Sequence, residues 1–243
     1  MEFFRKIFSE SSEPSERQIR RAVKQVTQMH GDAGTRVGAM ERLASWGTPD
    51  AAAALLRRFT VQTPQASMDL EEKQYTVELL TRMGEAAAGP ILDYLRTEPD
   101  VTFPIQALKG IYSPEAYHDA LVEILKAFSS GYTRWPEAKV VMIGHLSDKA
   151  FARVEETVLG FLDDDDDDVC IAAIDYLARN GDEALREKLL QVYLAAESRP
   201  RVRGYILDRF CEKEWTVKGY RKKIEEVISP PFYLTAKGVI KRR

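Results

Sequence analysis

The amino-acid sequence predicts an all-α protein: a right-handed solenoid of about six helix pairs, with an N-terminal capping helix and a short C-terminal β-hairpin. A helical pattern that ends in an apolar residue and a short break recurs from about residue 35 onward. Before the C-terminus, β-branched residues seldom alternate with polar ones, so strands are not expected there. The predicted organisation is an amphipathic segment and linker at 1–14, the solenoid at 15–229 and a basic hairpin or tail at 230–243.

The N-terminal segment, residues 1–8, combines phenylalanine and isoleucine with Arg5 and Lys6. Such an amphipathic stretch can contact a membrane surface or a partner groove, but folding back on the solenoid is the preferred interpretation. The next helix is predicted to begin with a capping box made by Ser15 and Gln18. This helix is expected to cover the exposed end of the first helix pair, since stacked arrays need terminal caps.

Six apolar residues are predicted to be equivalent anchors in successive repeats, with spacings of 37, 28, 35, 34 and 33 residues. They are Leu43, Leu80, Leu108, Ile143, Leu177 and Phe210. In three copies a glycine follows the anchor by four residues, at the helix end where a positive φ is favoured: Gly47, Gly84 and Gly181.

The breaks between helices carry predicted N-caps. Thr48 and Ser113 each precede a proline, the combination typical of a cap followed by the first helical residue. Ser147 and Asp182 are expected to play the same role. Near the end, Ser229 and two prolines are expected to stop the last helix, and 232–235 and 239–242 flank a turn that predicts a hairpin. Because an isolated hairpin is marginal in water, its aromatic side chains are expected to pack on the last helix pair.

The composition is that of an ordinary folded protein, with 44% hydrophobic and 30% charged residues. No apolar run is long enough to span a bilayer, and the first residues are too charged for a secretory signal. The two cysteines, Cys170 and Cys211, do not form the pattern of a disulfide framework. These observations predict a cytoplasmic protein.

Residues 162–177 resemble a HEAT repeat of the short bacterial type, related to the repeats of phycobilin lyases. The shared pattern is an acidic turn, then Val-Arg, then small residues and a leucine; residues 200–203 (PRVR) repeat its Val-Arg pair. Cys170 stands where the pattern has the arginine, which predicts an interruption of any ladder between repeats. The resemblance implies a HEAT-like or armadillo-like superhelix that acts as a scaffold with an extended groove. A tetratricopeptide array, with a period of about 34 residues, is the alternative fold, but its aromatic signature does not recur.

Two residue sets were weighed as metal or catalytic sites. The run of six aspartates, 163–168, lacks the ligand spacing and the turn glycine of a calcium loop, so a solvated turn that caps the next helix is expected. The three histidines, His30, His118 and His145, are scattered without a second ligand at helical spacing. With no nucleotide or catalytic motif, neither a cofactor, a metal nor catalysis is expected.

The charge is uneven along the chain. From residue 199 to the end there are 13 Lys and Arg against 5 Asp and Glu, a charge balance of +8. Since the net charge of the whole chain is −3, residues 1–198 have a charge balance of −11. With interleaved tyrosines, this segment predicts a basic patch that docks a polyanionic partner, an acidic protein or a nucleic acid. Its candidate residues are Arg199, Arg201, Arg203, Lys218, Arg221, Lys222, Lys223, Lys237, Lys241, Arg242 and Arg243. A solvated end cap, with an i,i+4 pair between Lys222 and Glu226, is the structural alternative.

The sequence therefore predicts a non-enzymatic scaffold for a protein partner, with nucleic acid as a further partner at the basic end. The competing hypothesis is an enzyme that works in the groove. A HEAT-like alkylpurine DNA glycosylase would need a carboxylate and tryptophans on one concave patch, and Trp46, Trp135 and Trp215 are far apart in sequence. A bilin lyase would need an open apolar pocket with an acidic or tyrosyl proton donor.

Overall fold

The computed structural model describes residues 13–128, 133–147, 151–181 and 183–243. Within these ranges the chain forms thirteen α-helices, two 3-10 helices and one two-stranded sheet. The predicted all-α class is confirmed. The predicted membrane or partner contact of residues 1–8 lies outside the described residues. Contacts between Cα atoms divide the chain into two compact units, unit 1 up to Ala120 and unit 2 from Leu121.

Unit 1 is a stack of helices in which alternate helices contact each other. Helices α2, α4 and α6 form one row, and α1, α3 and α5 form the other. The elements are α1 (Glu16–Val26), α2 (Ala33–Trp46), α3 (Pro49–Leu56), a 3-10 helix (Arg57–Thr60), α4 (Ala66–Met83), α5 (Glu85–Thr97) and α6 (Pro104–Ile111). The next helix, α7 (Pro114–Ala127), begins in unit 1 and ends in unit 2.

Unit 2 repeats this arrangement with α8, α10 and α12 in one row, each in contact with the next. Helix α9 packs on α10, α11 packs on α12, and α13 packs on α11. The elements are α8 (Pro136–Gly144), α9 (Phe151–Leu159), a 3-10 helix (Gly160–Asp163), α10 (Asp167–Asn180), α11 (Glu183–Ala195), α12 (Pro200–Lys213), α13 (Arg221–Val227), β1 (Phe232–Leu234) and β2 (Ile240–Arg242).

The six predicted anchors all lie in the cores of these units, each with 1% or less of its surface exposed. Five of them lie three residues before the end of their helix, and Ile143 lies one residue before the end of α8. The repeat in the sequence thus corresponds to one buried position per helix in the α2–α4–α6 and α8–α10–α12 rows. Burying the apolar side of each helix against its neighbour stabilises the stack, because no single helix pair can cover its own apolar face.

Several helix ends follow the prediction. The Ser15 and Gln18 side chains form the capping box of α1, and the Thr48 and Ser113 hydroxyls accept hydrogen bonds from backbone N–H groups three residues later. Gly47 and Gly84 have positive φ angles of 64° and 59°. The contacts through which Ser147 and Asp182 were predicted to cap involve residues outside the described part.

Gly181 ends α10 for a different reason than the one predicted. Its φ is −82°, which any residue can adopt. A side chain at this position would instead place a Cβ atom 2.5 Å from Leu185 Cδ2 and 2.9 Å from the carbonyl oxygen of Leu177. Glycine is needed here because α10 and the following helix approach too closely for a Cβ atom.

The predicted C-terminal hairpin is present, with Tyr233 opposite Lys241 in antiparallel register. The prediction that its aromatic residues pack on the helices is wrong for Tyr233, which is 39% exposed. Ile240 of β2 is fully buried instead, and β2 contacts α12. The last helix ends at Val227, two residues before Ser229.

Within the part of the chain that the structure describes, no helix combines the length and apolar character that crossing a bilayer requires.

Candidate functional site

The aspartate run before α10 is only partly the solvated turn that was expected. Asp166 caps α10 by accepting hydrogen bonds from the N–H groups of Asp168 and Val169 at 2.9 and 3.2 Å. Asp164, however, is 2% exposed, and its Oδ2 atom accepts a hydrogen bond of 2.6 Å from Nζ of Lys139, which is also fully buried. A buried carboxylate requires such a partner, since its desolvation is otherwise uncompensated.

The same run also joins α10 to α12. Asp167 pairs with Arg199 at 2.7 Å, and Asp168 pairs with Arg201. The Arg199 guanidinium further donates to the carbonyl oxygen of Asp164 at 2.8 Å. The run therefore connects the three stacked helices α8, α10 and α12, through Lys139 on one side and two arginines on the other.

Cys170 lies inside this junction, where the repeat pattern predicts an arginine. Its Sγ atom donates to the carbonyl oxygens of Leu162 and Asp164, and the residue is fully buried. Burial raises the pKa of the Cys170 thiol, so this side chain stays neutral. The ionic connection to the next helix is made by Arg199 instead, one helix further along the chain.

Beside this junction, the exposed faces of α8 and α10 form an open groove of about 500 Å³, which we call the acidic groove. Its floor is apolar, made of Val140, Val141, Ile171 and Ala172. Its rim carries the carboxylates of Glu137, Asp166, Asp168 and Asp175, and Tyr205 of α12 lies at one side. None of the described residues that line it is a lysine or an arginine.

The polar groups of the acidic groove are fixed by their neighbours. Asp175 accepts hydrogen bonds from the Tyr205 hydroxyl at 3.0 Å and from Arg209 at 3.3 Å. Burial, together with the hydrogen bond to Asp175, raises the pKa of Tyr205, so the phenol remains a protonated donor. Glu137 is exposed at the opposite edge. Since Asp168 and Asp175 are paired with arginines, the negative charge beside the apolar floor that has no ion-pair partner among the described residues is that of Glu137 and Asp166.

Sequence analysis did not find this groove. The available signal was a set of apolar residues on α8 and α10 that lie outside the anchor positions. Because a helix normally buries a broader stripe than its anchors alone, such residues read as ordinary core. In the structure these residues are half-exposed in the groove.

The matching face of unit 1, between α2 and α4, carries a smaller groove of about 350 Å³ with mixed charge. The Tyr75 hydroxyl donates to Glu41 at 3.0 Å, and the Arg82 guanidinium lies 5.8 Å from the centre of the Tyr75 ring. One acid and one base therefore neutralise each other along this face.

The predicted basic patch is divided by the structure into paired and unpaired cations. Arg199 and Arg201 pair with aspartates of the run before α10. Lys241 pairs with Glu214 at 2.7 Å, and Arg242 pairs with Asp208 at 3.2 Å. The i,i+4 pair on α13 joins Arg221 to Glu225, rather than Lys222 to Glu226.

The remaining cations of the predicted patch have no carboxylate partner among the described residues. Arg203 lies against the ring of Tyr193, 4.5 Å from its centre, and donates to the carbonyl oxygen of Val227. The others are exposed: Lys218, Lys222, Lys223, Lys237 and Arg243.

The described ranges contain histidines, aspartates and tryptophans, the residue types that a metal site or an aromatic site would use. There, no group of three or more His, Cys, Asp or Glu side chains is arranged to hold a metal ion. Trp135 and Trp215 both lie in unit 2, but neither lines the acidic groove. Trp215 packs edge-on against Phe210, 5.4 Å between ring centres, which accounts for it as a core residue.

Comparison with known proteins returned no family model, no curated protein and no solved structure that matches this chain. The HEAT-like resemblance therefore stays a prediction from the residues alone.

Proposed function

We propose that this chain is a non-enzymatic interaction scaffold, a HEAT-like right-handed solenoid of about six helix pairs, and that its acidic groove binds a positively charged segment of a protein partner. The observation that carries the proposal is the composition of the groove: an apolar floor beside a rim on which Glu137 and Asp166 have no ion-pair partner among the described residues. The cytoplasmic location predicted from the sequence belongs to the same proposal.

The occupant follows from this chemistry. Apolar side chains of a partner gain free energy by covering the valine and isoleucine floor, at about 25 cal/mol per Å² buried. Lysine or arginine side chains on the same segment would meet the rim carboxylates, which favours binding of the correct partner and speeds its association. The groove volume lies within the range of about 300–1,000 Å³ that is usual for binding pockets.

A bilin lyase activity is the second candidate, since the acidic groove combines an open apolar floor with a protonated tyrosine, Tyr205. A bilin carries propionate groups, however, and the unpaired rim carboxylates of Glu137 and Asp166 would repel them. The charge of the groove therefore favours a cationic segment over a bilin. An absorbance titration with a free linear tetrapyrrole distinguishes the two, because a bound chromophore changes its spectrum and a scaffold leaves it unchanged.

The scaffold proposal is tested with two labelled peptides that share one amphipathic pattern, one carrying lysine and the other glutamate at the polar positions. Fluorescence anisotropy should show binding of the lysine peptide only. Glu137→Lys should weaken it about fivefold, since one attractive charge becomes repulsive in a partly desolvated site. Ala172→Arg, which fills the floor, should weaken it at least as much.

The matched control is Glu156→Lys, the same charge change at an exposed position of α9 outside the groove. It should leave the affinity for the lysine peptide unchanged. Equal weakening by Glu137→Lys and Glu156→Lys would show a nonspecific field effect and would remove the groove from the proposal. Equal binding of both peptides would do the same.

A further inference from the structure

Two turns of the C-terminal region lie side by side. The N–H group of Val217 donates to the carbonyl oxygen of Gly238 at 2.8 Å, and Arg221 donates to the carbonyl oxygen of Ala236 at 2.8 Å. In the sequence, Lys218 directly follows Val217 and Lys222 directly follows Arg221. Lys237 lies between the two acceptor residues, Ala236 and Gly238. The structure therefore collects four basic residues, which we call the basic platform: Lys218, Arg221, Lys222 and Lys237.

The basic platform rests on a packed support. Val217, Ile224 and Ile240 are 1% exposed or less, and a backbone bridge joins Thr216 to Val239. The hydrogen bonds between the two turns hold the backbone that carries these lysines, so their Cα atoms keep fixed relative positions. Fixed charges bind an opposite charge at lower entropic cost than charges on a loose tail.

The platform keeps most of its charge, unlike the neighbouring Lys241 and Arg242. Its lysines are exposed and have no carboxylate within ion-pair distance among the described residues, and Arg221 alone pairs, with Glu225. The neighbouring cations Lys241 and Arg242 are neutralised by Glu214 and Asp208. Three unpaired lysines in one place repel each other, a cost that an anionic partner removes.

We propose that the basic platform binds an acidic peptide segment of a partner, at a site separate from the acidic groove. The chemistry favours carboxylates over nucleic acid, because the nearby tyrosine rings already have cationic neighbours. Lys223 lies 5.9 Å from the centre of the Tyr220 ring, and the Tyr220 hydroxyl donates to Glu187. Arg243 likewise lies 5.5 Å from the centre of the Tyr233 ring. Each of these cations lies against one face of its ring, which leaves less aromatic surface for the base stacking that supplies much of the affinity for single strands.

The charge of the whole chain supports a short ligand. Residues 1–198 carry a balance of −11, against +8 for the remainder, so a long polyanion that leaves the platform meets repulsion. A short aspartate- and glutamate-rich segment does not extend beyond the platform and avoids this repulsion.

The test is an anisotropy titration of the full-length protein with a labelled Asp/Glu-rich peptide and, separately, with a single-stranded oligonucleotide of equal charge. We expect the peptide to bind more tightly, and its affinity to fall as salt rises from about 50 to about 300 mM, since exposed charges are screened. Lys222→Glu with Lys237→Glu should weaken peptide binding about tenfold. Arg221 is left in place because it holds the second turn.

The matched control carries the same charge change in unit 1, Lys24→Glu with Lys109→Glu, both at exposed positions. It should leave peptide binding unchanged, as should Glu137→Lys in the acidic groove, which separates this proposal from the scaffold proposal. The milder pair Lys222→Gln with Lys237→Gln serves if the reversed charges disturb folding, and circular dichroism checks that each variant is folded. Tighter binding of the oligonucleotide, or equal weakening by platform and control variants, would overturn the proposal.

Discussion

Unit 1 and unit 2 both bury charged side chains between stacked helices, but they differ in how completely these charges are paired. In unit 1 the carboxylate of Glu72 is shared by Arg36 and Arg58, at 2.7 and 2.9 Å, and all three are 5% exposed or less. Asp69 pairs with Arg58 and Lys73 in the same cluster. In unit 2 one buried pair, Lys139 with Asp164, is continued by aspartates that reach the surface.

Buried ion pairs between stacked helices therefore have different consequences in the two units. In unit 1 each acid of the cluster contacts two cations, so no carboxylate of the cluster is left unpaired and the cluster serves only to stabilise the stack. In unit 2 the aspartate run outnumbers its ion-pair partners, and one of its unpaired members, Asp166, lies on the rim of the acidic groove. The unit 1 cluster, which we call the sealed network, has every carboxylate paired and contributes to packing only. The unit 2 network leaves unpaired carboxylates at the surface, where a partner can bind them.

The largest expected effect comes from opening the sealed network. Glu72→Gln keeps the shape but leaves two buried guanidiniums without their shared charge, so unit 1 should lose about 3–5 kcal/mol of stability. Urea unfolding followed by Trp46 fluorescence, with Trp135 and Trp215 replaced by phenylalanine, measures unit 1. Glu78→Gln, at an exposed position of the same helix, is the control and should have little effect. A loss below 1 kcal/mol in Glu72→Gln would contradict the sealed-network description.

A somewhat smaller effect is expected in unit 2, where Asp164 keeps a backbone partner. Lys139→Met removes the buried ammonium and should cost about 3 kcal/mol, since Asp164 remains buried without its counter-charge. The double variant Lys139→Met with Asp164→Leu replaces both charges and should recover most of that stability. The measurement is urea unfolding followed by Trp135 and Trp215 in a Trp46→Phe background. A double variant as unstable as the single one would show that the pair does more than satisfy its own charges.

The smallest effect is the acid sensitivity of unit 1. Although burial acts in the opposite direction, hydrogen bonds from Lys73, Arg58 and the Thr63 backbone lower the pKa of Asp69 from 3.8 to about 2. The pKa of Glu72 is lowered too, against burial, by hydrogen bonds from Arg36 and Arg58. A lowered folded-state pKa gives stability that is present above about pH 4 and is lost as the pH falls toward 2; for Asp69 this is about 2 kcal/mol.

Unfolding of unit 1 measured between about pH 5 and pH 2 should therefore show a steep loss. Asp69→Asn should flatten part of this pH dependence and lower stability at neutral pH. A wild-type curve as flat as that of Asp69→Asn would contradict the assigned pKa.

Much of the fold was predictable because its signals are local. The capping box of Ser15 and Gln18, the positive φ of Gly47 and the hairpin register depend on neighbouring residues. The anchors, including Leu43 and Leu177, were found because each helix repeats the same buried position. Gly181 was correctly placed but wrongly explained, since its reason is a contact across the turn.

The candidate sites were far less predictable. The basic segment was recognised as one patch, but Arg242 pairs with Asp208 and Lys241 with Glu214, partners 34 and 27 residues away in the sequence. The aspartate run was interpreted as solvated because nothing local indicates that Lys139, 25 residues earlier, would be buried beside Asp164. Each of these errors comes from a charge whose partner lies in another part of the fold, far away in the sequence.

The amphipathic helices, their repeating anchors, their caps and the terminal hairpin follow from the sequence alone. The reason is that hydrophobic periodicity and capping act over a few residues. Only the tertiary structure decided which charges are buried, which remain available on the basic platform, and where the acidic groove lies. Stacking brings together residues about one repeat apart, and the free energy of a charge depends on what lies next to it in space.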